Sequence, residues 1–349
     1  MTAAEVLEVE RTIEALADSR PHRADAPVEF AGLLADAWDN LMTGEVEDAL
    51  TKLQRARALS EDDTFDDGDR AEVLFRLGAC RLHLGAVSNA VQLLTVALEL
   101  CDRSGRPCDR LRNDILRWRT RSYRRQRDWD GARADADAAL ALAERLDDPV
   151  RLSDSYLQAS QVAERTGQLI VARFYVEHAV EILRREGNLV DAGKALNNLG
   201  GILFLLGDED AAKRHLDEAF EIALELGDDV DTAYAVSSTA QVLLRGGAAE
   251  DAEEKASHAL ELLAGRIDHT SEIGSAQLVR GRALMELGRC EDAEEALRLA
   301  DDSYRQMDSI GHRASVWLAQ GDLAVQLGRI EDAATVYRRA AEALQDVRF

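Results

Sequence analysis

The sequence contains few of the residues that cross-link or interrupt helices. Its 349 residues include four cysteines and four prolines, and aromatic residues make up 5% of the chain. The cysteines form no CxxC pair with a matching set of ligands, so we expect reduced thiols rather than a disulfide framework or a zinc site. No predicted helix contains a proline in its interior. The prolines, Pro21, Pro27, Pro107 and Pro149, all fall between helical patterns.

Positive charge and long apolar runs are also scarce. The chain has 42 basic and 66 acidic residues, a formal net charge of −24. This balance argues against nucleic-acid binding along the surface, because phosphate contacts need a positive footprint. No run of eighteen apolar residues appears, and residues 1–10 lack the basic and apolar regions of a signal peptide. We therefore expect a cytoplasmic protein with no membrane partner.

Catalytic and metal-binding motifs are missing from the sequence as well. There is no HExxH, no Walker-type GKS or GKT sequence, and the seven histidines are dispersed. A hydrolytic or metal site would have to be assembled from distant parts of the chain. We predict no metal, no cofactor and no catalytic residue, so the chain is not expected to be an enzyme.

One short pattern is repeated along almost the whole chain. An alanine opens a helix in the same local setting eight times, and successive alanines are 40, 41 or 42 residues apart. A fixed period of this length indicates an array of one supersecondary unit. The eight alanines are Ala49, Ala90, Ala132, Ala172, Ala212, Ala252, Ala293 and Ala333.

Each unit is predicted to contain two amphipathic helices joined by a tight turn. Apolar residues recur at helical spacing before and after the turn, as in residues 195–227. A glycine stands five residues before the key alanine in every unit except the third, where Arg127 takes its place. A glycine suits a helix end that needs positive φ, and the acidic residues that follow suit a helix N-terminus.

A second alanine lies seven residues after each key alanine, as Ala219 follows Ala212. Two small residues on one helical face allow a neighbouring helix to approach closely. With Leu199-Gly200 in the first helix and alanines along the second, the unit resembles the tetratricopeptide repeat, in its longer variety of about 40 residues. Arg119, Arg280 and Gln320 depart from this pattern by replacing the leucine.

The resemblance implies an all-α solenoid of about eight repeats, wound as a right-handed superhelix with the first helices on its concave surface. We assign residues 30–349 to this array and residues 1–29 to an N-terminal helix and linker. Val6, Val9, Ile13 and Leu16 share one face of that helix. This face is interpreted as a cap, with a connector or dimer seam as the alternative.

An arginine cluster stands out in the third unit of this acidic chain. Arg117, Arg121 and Arg124 lie at i, i+4 and i+7 on one face of the first helix. By the resemblance, this face points into the groove, where the planar guanidinium suits a carboxylate or a phosphate. Arg125 borders the face, and Arg76 holds the equivalent place one unit earlier.

Polar side chains occupy the equivalent places in the following units, and they suit the backbone of an extended peptide. They are Gln158, Gln161, Asn197, Asn198, Ser237, Ser238 and Gln241. The predicted function is a non-catalytic module of a bacterial regulator that binds a protein or peptide segment, possibly acidic or ending in a carboxylate. No DNA-binding helix-turn-helix is visible in the chain.

Two alternatives remain open from the sequence. Nearby Asp102, Asp109, Asp114, Asp128 and Asp130 could neutralise the arginines and leave only a solvated or paired face. The array could also be a scaffold that assembles through its outer faces or ends. The last unit carries Val336, Ala341, Leu344 and Phe349 with no following helix, which favours a homodimer through a terminal repeat.

Overall fold

The computed structural model describes residues 26–266, 269–306 and 310–345, and within these ranges every regular element is an α-helix. The predicted all-α class is confirmed. The predicted N-terminal helix and Phe349 lie outside the described residues, as does the side chain of Leu344. The first helix among the described residues begins at Ala26, within the predicted N-terminal helix and linker segment.

The chain divides into two compact units at Thr166. Unit 1 contains three consecutive helix pairs, α1–α2, α3–α4 and α5–α6, followed by α7. Its helices are α1 (Ala26–Met42), α2 (Val46–Leu59), α3 (Asp67–His83), α4 (Val87–Arg103), α5 (Asp109–Gln126), α6 (Trp129–Leu146) and α7 (Pro149–Arg165).

Unit 2 begins with α8, which is the second helix of a repeat, and continues as four helix pairs. Its helices are α8 (Leu169–Arg185), α9 (Leu189–Leu206), α10 (Glu209–Leu226), α11 (Asp229–Arg245), α12 (Ala249–Leu262), α13 (Thr270–Glu286), α14 (Cys290–Gln306), α15 (Ile310–Gln326) and α16 (Ile330–Gln345).

Small residues set the distance between the two helices of a pair. All eight key alanines are buried, and so are the alanines seven residues after them. On the first helix, a Cβ built on Gly200 would lie 2.6 Å from Leu216 Cγ, a separation that real side chains do not reach. The glycine is therefore required for the close packing of α9 on α10.

The turns between helices follow the predicted glycine rule. Gly207 ends α9 with φ 84°, and Asp208 then caps α10 by accepting a hydrogen bond from the Ala211 amide at 3.1 Å. Arg127, which replaces the glycine in the third unit, adopts the same left-handed conformation with φ 59°. The turn geometry is thus kept where the favoured residue is missing, at an energetic cost.

Two of the three residues that replace the repeat leucine form ion pairs. Arg119 makes a bidentate bond to Asp135 at 2.6 and 2.8 Å, and Asp135 is only 5% exposed. Arg280 donates to Glu253 at 3.1 Å. These pairs replace the apolar contact with a charged one inside the same helical framework.

One helix of unit 2, α9, is long and apolar enough to cross a membrane by length and composition alone. Its buried residues pack inside unit 2, where Leu196, Leu199 and Ile202 are each no more than 2% exposed. Burial within the helical core accounts for this composition.

The last helix pair is anchored by Trp317, which is 2% exposed. Its indole N–H donates to Asp301 Oδ1 at 3.0 Å, and the guanidinium groups of Arg313 and Arg339 lie 4.9 and 4.0 Å from the ring centre. Ala341 is exposed and Val336 is half-buried. The self-association predicted from this end remains a prediction.

Candidate functional site

The first helices of unit 1 lie side by side, and α3, α5 and α7 carry every residue of the predicted site that belongs to this unit. Their polar side chains bridge from one first helix to the next. Arg76 on α3 bonds to the Leu34 carbonyl of α1, and Arg125 on α5 donates to the Leu82 carbonyl of α3 at 2.6 Å. We call this surface the unit 1 face.

Arg117 is neutralised by carboxylates, as the paired-face interpretation expected. Its guanidinium bonds to Asp114 at 2.9 Å and, more closely, to Asp154 on α7. Asp114 also accepts from Arg151 at 2.8 Å. Asp154 follows Arg117 by 37 residues, a little less than one repeat, and was not among the neutralising residues proposed from the sequence.

Arg121, Arg124 and Arg125 form a different group, which we call the arginine triad. Arg124 Nη1 donates to Gln158 at 3.2 Å and, more closely, to Gln161, so the structure brings these three predicted residues together. Within the described residues, no carboxylate forms an ion pair with any member of the triad.

Burial and the like charges of neighbouring arginines affect the triad. They lower the pKa of Arg121, and they lower that of Arg124 to about 10. A lowered arginine pKa means that the folded protein destabilises the positive charge, since nothing within reach compensates it fully. The paired-face interpretation is therefore right for Arg117 and insufficient for the triad.

An aromatic cluster lies beside the triad. The Arg121 guanidinium stands 5.0 Å from the ring centre of Trp118, which is itself packed against Trp38 at 5.7 Å and His83 at 5.8 Å. Burial, with further contributions from Arg125 and Arg121, lowers the pKa of His83. The imidazole is therefore neutral at pH 7 and adds no further positive charge.

The corresponding surface of unit 2, formed by α9, α11 and α13, is called the unit 2 face. It is uncharged at its centre. Asn197 and Ser237 occupy the same repeat position, fifteen residues before Ala212 and Ala252, and they are 5% and 6% exposed. Gln277 is 9% exposed and lies one position earlier in its own unit, sixteen residues before Ala293. Asn197 Oδ1, Ser237 Oγ and Gln277 Oε1 have no hydrogen-bond partner among the described residues. Each of the three helices thus holds one buried polar atom with unused hydrogen-bonding capacity.

Among the remaining predicted residues of unit 2, two already use their side chains in hydrogen bonds within the protein. Ser238 Oγ donates to the Tyr234 carbonyl of its own helix at 3.0 Å, and Gln241 Nε2 donates to Ser275 on α13 at 3.3 Å. Asn198 is half-buried on α9. Each of these side chains is more exposed than Asn197 and Ser237.

Sequence reasoning missed Gln277, Trp38 and His83. The units of Ser237 and Gln277 are 41 residues apart, so the repeat period points to Leu278 and not to Gln277. The packing of Trp38 and His83 on Trp118 depends on α1 and α3 lying next to α5 and has no signal in the sequence.

Both faces are chemically suited to binding. The unit 1 face offers guanidinium donors and aromatic surface, and the unit 2 face offers neutral acceptors and a hydroxyl. In the part of the chain that the structure describes, no group of three or more His, Cys, Asp or Glu side chains could hold a metal ion.

Comparisons with known proteins agree with the repeat pattern. Two models of the tetratricopeptide repeat match the sequence, one over residues 191–264 and the other over residues 34–104 and 278–347, together well over half of the chain. A search of curated proteins finds no match.

Several solved structures share the fold at low sequence identity. The apo form of the quorum sensor NprR from B. thuringiensis is 11% identical, with a TM-score of 0.70 over 98% of this chain and 94% of that one. A Rap protein complexed with competence and sporulation factor is 15% identical, with a TM-score of 0.67 over 91% and 98%. The apo form of RapI is 13% identical, with a TM-score of 0.66 over 91% and 98%.

Proposed function

The chain belongs to the tetratricopeptide repeat family, and we propose that it is a non-catalytic, cytoplasmic module that binds a peptide or protein segment in a bacterial regulatory system. The segment lies on the faces formed by the first helices. The unit 2 face bonds to the main chain of such a segment, and the arginines of the unit 1 face attract acidic side chains or a C-terminal carboxylate.

The observation that carries this proposal is the set of buried polar atoms on Asn197, Ser237 and Gln277, one on each helix of the unit 2 face. A buried polar atom without a partner costs about 1 to 3 kcal/mol. Three such atoms therefore lower the stability of the unbound protein. A ligand that supplies backbone amides and carbonyls removes this cost, and Asn197 and Ser237 present it with atoms at the same repeat position on neighbouring first helices.

The structural neighbours support a peptide as the ligand. Among the proteins with a similar fold, a Rap protein was solved with competence and sporulation factor and NprR with its cognate peptide NprX. These ligands belong to those proteins, and their sequence identity to this chain is 15% or less. The proposal takes from them the class of ligand and not its sequence.

The test begins with a phage-displayed library of random peptides selected on the purified protein. Selected peptides are resynthesised, and their affinity is measured by calorimetry for the wild type and for the Asn197→Ala/Ser237→Ala variant. We expect the variant to bind about tenfold to a hundredfold more weakly, since each lost hydrogen bond to a buried group contributes about 1 kcal/mol.

The matched control is Ser257→Ala on the second helix α12, where Ser257 Oγ bonds to Glu253 of the same helix. It should leave affinity unchanged. Failure to select any peptide, or equal affinity of the wild type and the double variant, would contradict a ligand on the unit 2 face.

The unit 1 face is tested separately by charge reversal. Arg121→Glu/Arg124→Glu should abolish the salt dependence of binding and weaken it far more than Arg338→Glu, which alters an exposed arginine of α16. Arg339 is unsuitable as a control because it stacks on Trp317 at 4.0 Å. Amidation of the peptide C-terminus then separates capture of a terminal carboxylate from capture of acidic side chains.

The scaffold alternative and the terminal dimer make a different prediction. A protein that acts by assembly changes its mass with concentration and binds no selected peptide. Light scattering of the wild type and of the Val336→Asp variant over a wide concentration range measures this directly. A constant monomer mass would exclude a homodimer through α16.

A further inference from the structure

The arginine triad has more donor capacity than its own contacts use. Arg124 and Arg125 each have an Nη1 that donates to a neighbouring first helix, as described above. Arg124 Nε is buried without a partner. Arg121 approaches only the face of Trp118 among the contacts of the described residues. Three guanidinium groups from a single turn of α5 therefore keep unused N–H donors.

The charge around the triad is also unbalanced. Asp154 is the carboxylate that acts most strongly on Arg121, and it is already bonded to Arg117. Glu164 acts on Arg124, where the charges of Arg121 and Arg165 oppose it. On α3, Arg76 is paired with Glu72 at 2.7 Å, and His83 is neutral. The positive surplus therefore exceeds what one monovalent anion would balance.

Aromatic side chains border the arginine triad on one side. Trp118 is 6% exposed, and it contacts Trp38, Phe75 and His83. An aromatic wall on one side of a guanidinium fixes its plane and excludes water, and both effects strengthen bonds to an anion. Arg125 is exposed, so the group remains open to solvent from that side.

We propose that the arginine triad binds the phosphoryl group of a phosphorylated polypeptide side chain. A phosphomonoester carries about two negative charges at pH 7 and presents three acceptor oxygens at one centre. These match three guanidinium groups that project from one helical turn. A carboxylate carries one charge and two oxygens in a plane, and it would leave part of the surplus uncompensated.

This proposal deepens the proposed function and rests on it, because the polypeptide is the ligand already assigned to these faces. The proposal adds that one side chain of that polypeptide is phosphorylated. The phosphoryl group would be read by Arg121, Arg124 and Arg125, while Arg117 stays committed to Asp114 and Asp154.

The experiment uses three synthetic pentapeptides that differ only at the central residue, acetyl-Ala-Ala-Xaa-Ala-Ala-amide with phosphoserine, glutamate or serine as Xaa. Binding to the full-length protein is measured by calorimetry and by quenching of tryptophan emission, since Trp118 adjoins the triad. We expect the phosphoserine peptide to bind at least about tenfold more tightly than the glutamate peptide, and the serine peptide not to bind measurably.

Variants then locate the bound group. Arg121→Gln/Arg124→Gln should reduce phosphoserine binding by at least about tenfold. Arg110→Gln, which removes the same charge from an exposed position of α5, should change it by less than about twofold. Circular dichroism and urea midpoints verify that the variants fold, and loss of uncompensated arginines is not expected to lower stability.

Each other outcome overturns the proposal. Equal affinity for the phosphoserine and glutamate peptides would mean a general anion site. Binding of inorganic phosphate or adenosine monophosphate as tight as that of the phosphoserine peptide would mean a phosphoryl site unrelated to polypeptides. No binding of the phosphoserine peptide, with library-selected peptides still bound, would remove this inference and leave the proposed function standing.

Discussion

The two first-helix faces handle buried polarity in opposite ways. The unit 1 face holds charged groups and satisfies many of them internally, through Arg117 with Asp114 and Asp154 and through Arg119 with Asp135. The unit 2 face holds neutral groups and leaves them without partners. An unpaired buried charge costs much more than an unpaired buried amide or hydroxyl. In unit 2 the unused atoms are mostly neutral side-chain oxygens. In unit 1 they include Asn113 Oδ1, single nitrogens of arginines whose charge is paired, and the partly exposed arginine triad.

The largest expected loss of stability comes from removing one partner of a buried ion pair on the unit 1 face. Arg119→Ala leaves Asp135 buried without its cation, and we expect the free energy of unfolding to fall by about 3 to 5 kcal/mol. Urea denaturation followed by circular dichroism measures the change. Arg298→Ala removes an exposed ion pair and should leave the midpoint unchanged. Arg119→Leu/Asp135→Leu should recover most of the loss, and no recovery would mean that the pair is required for packing.

On the unit 2 face, we expect a substitution to increase the free energy of unfolding. Ser237→Ala removes a buried hydroxyl without a partner, so the free energy of unfolding should rise by about 1 kcal/mol beyond the effect of helix propensity. Ser238→Ala on the same helix supplies that reference, because its hydroxyl is bonded within α11. If both variants have the same stability, the buried Ser237 hydroxyl does not destabilise the folded protein. Together with weaker peptide binding, the rise would identify a side chain retained for its ligand.

A smaller contrast concerns the turns. Among the described residues, the non-glycine residues with positive φ are Arg127 and Asp147, both in unit 1. Arg127→Gly should stabilise the protein by about 1 kcal/mol, since glycine adopts this conformation without strain. The reciprocal variant Gly207→Ala in unit 2 should destabilise it by a similar amount. Thermal unfolding of both variants provides the comparison, and equal shifts in the same direction would contradict it.

The smallest expected effect is a dependence of stability on pH through His83. Its folded pKa is lowered by burial and by Arg125 and Arg121, so the unfolded chain binds the proton more readily. Stability should therefore decrease as the pH falls below about 6.5 and through the folded pKa. His83→Gln should flatten this slope in urea titrations at several pH values. A slope that persists in the His83 variant would assign it to other groups.

The fold could be predicted from the sequence because a repeat makes each unit predict its neighbours. The positions of Ala212, Gly200 and Gly207 specify a helix pair, and their recurrence every 40 to 42 residues specifies the array. The candidate site was predictable only in part. Helical periodicity placed Arg117, Arg121 and Arg124 on one face, but it could not distinguish the neutralised arginine from the other two.

That distinction depends on residues about one repeat away in the chain. Asp154 reaches Arg117 from α7, and Gln158 and Gln161 reach Arg124 from the same helix. Periodicity within one helix carries no information on such contacts, because they are set by the rotation of one repeat on the next. The buried state of Asn197 and Ser237 has the same origin, and an isolated α9 or α11 would expose both.

The distribution of tryptophan has an optical consequence. Trp38, Trp118 and Trp129 lie in unit 1, whereas Trp317 is the single tryptophan of unit 2 and is held by Asp301, Arg313 and Arg339. The emission of Trp317 should change when its contacts with these three side chains are lost on unfolding. In the Trp317→Phe variant, tryptophan emission comes from unit 1 alone. Difference spectra during denaturation then resolve two melting curves in one chain. Their coincidence or separation measures whether cooperativity extends beyond a single unit.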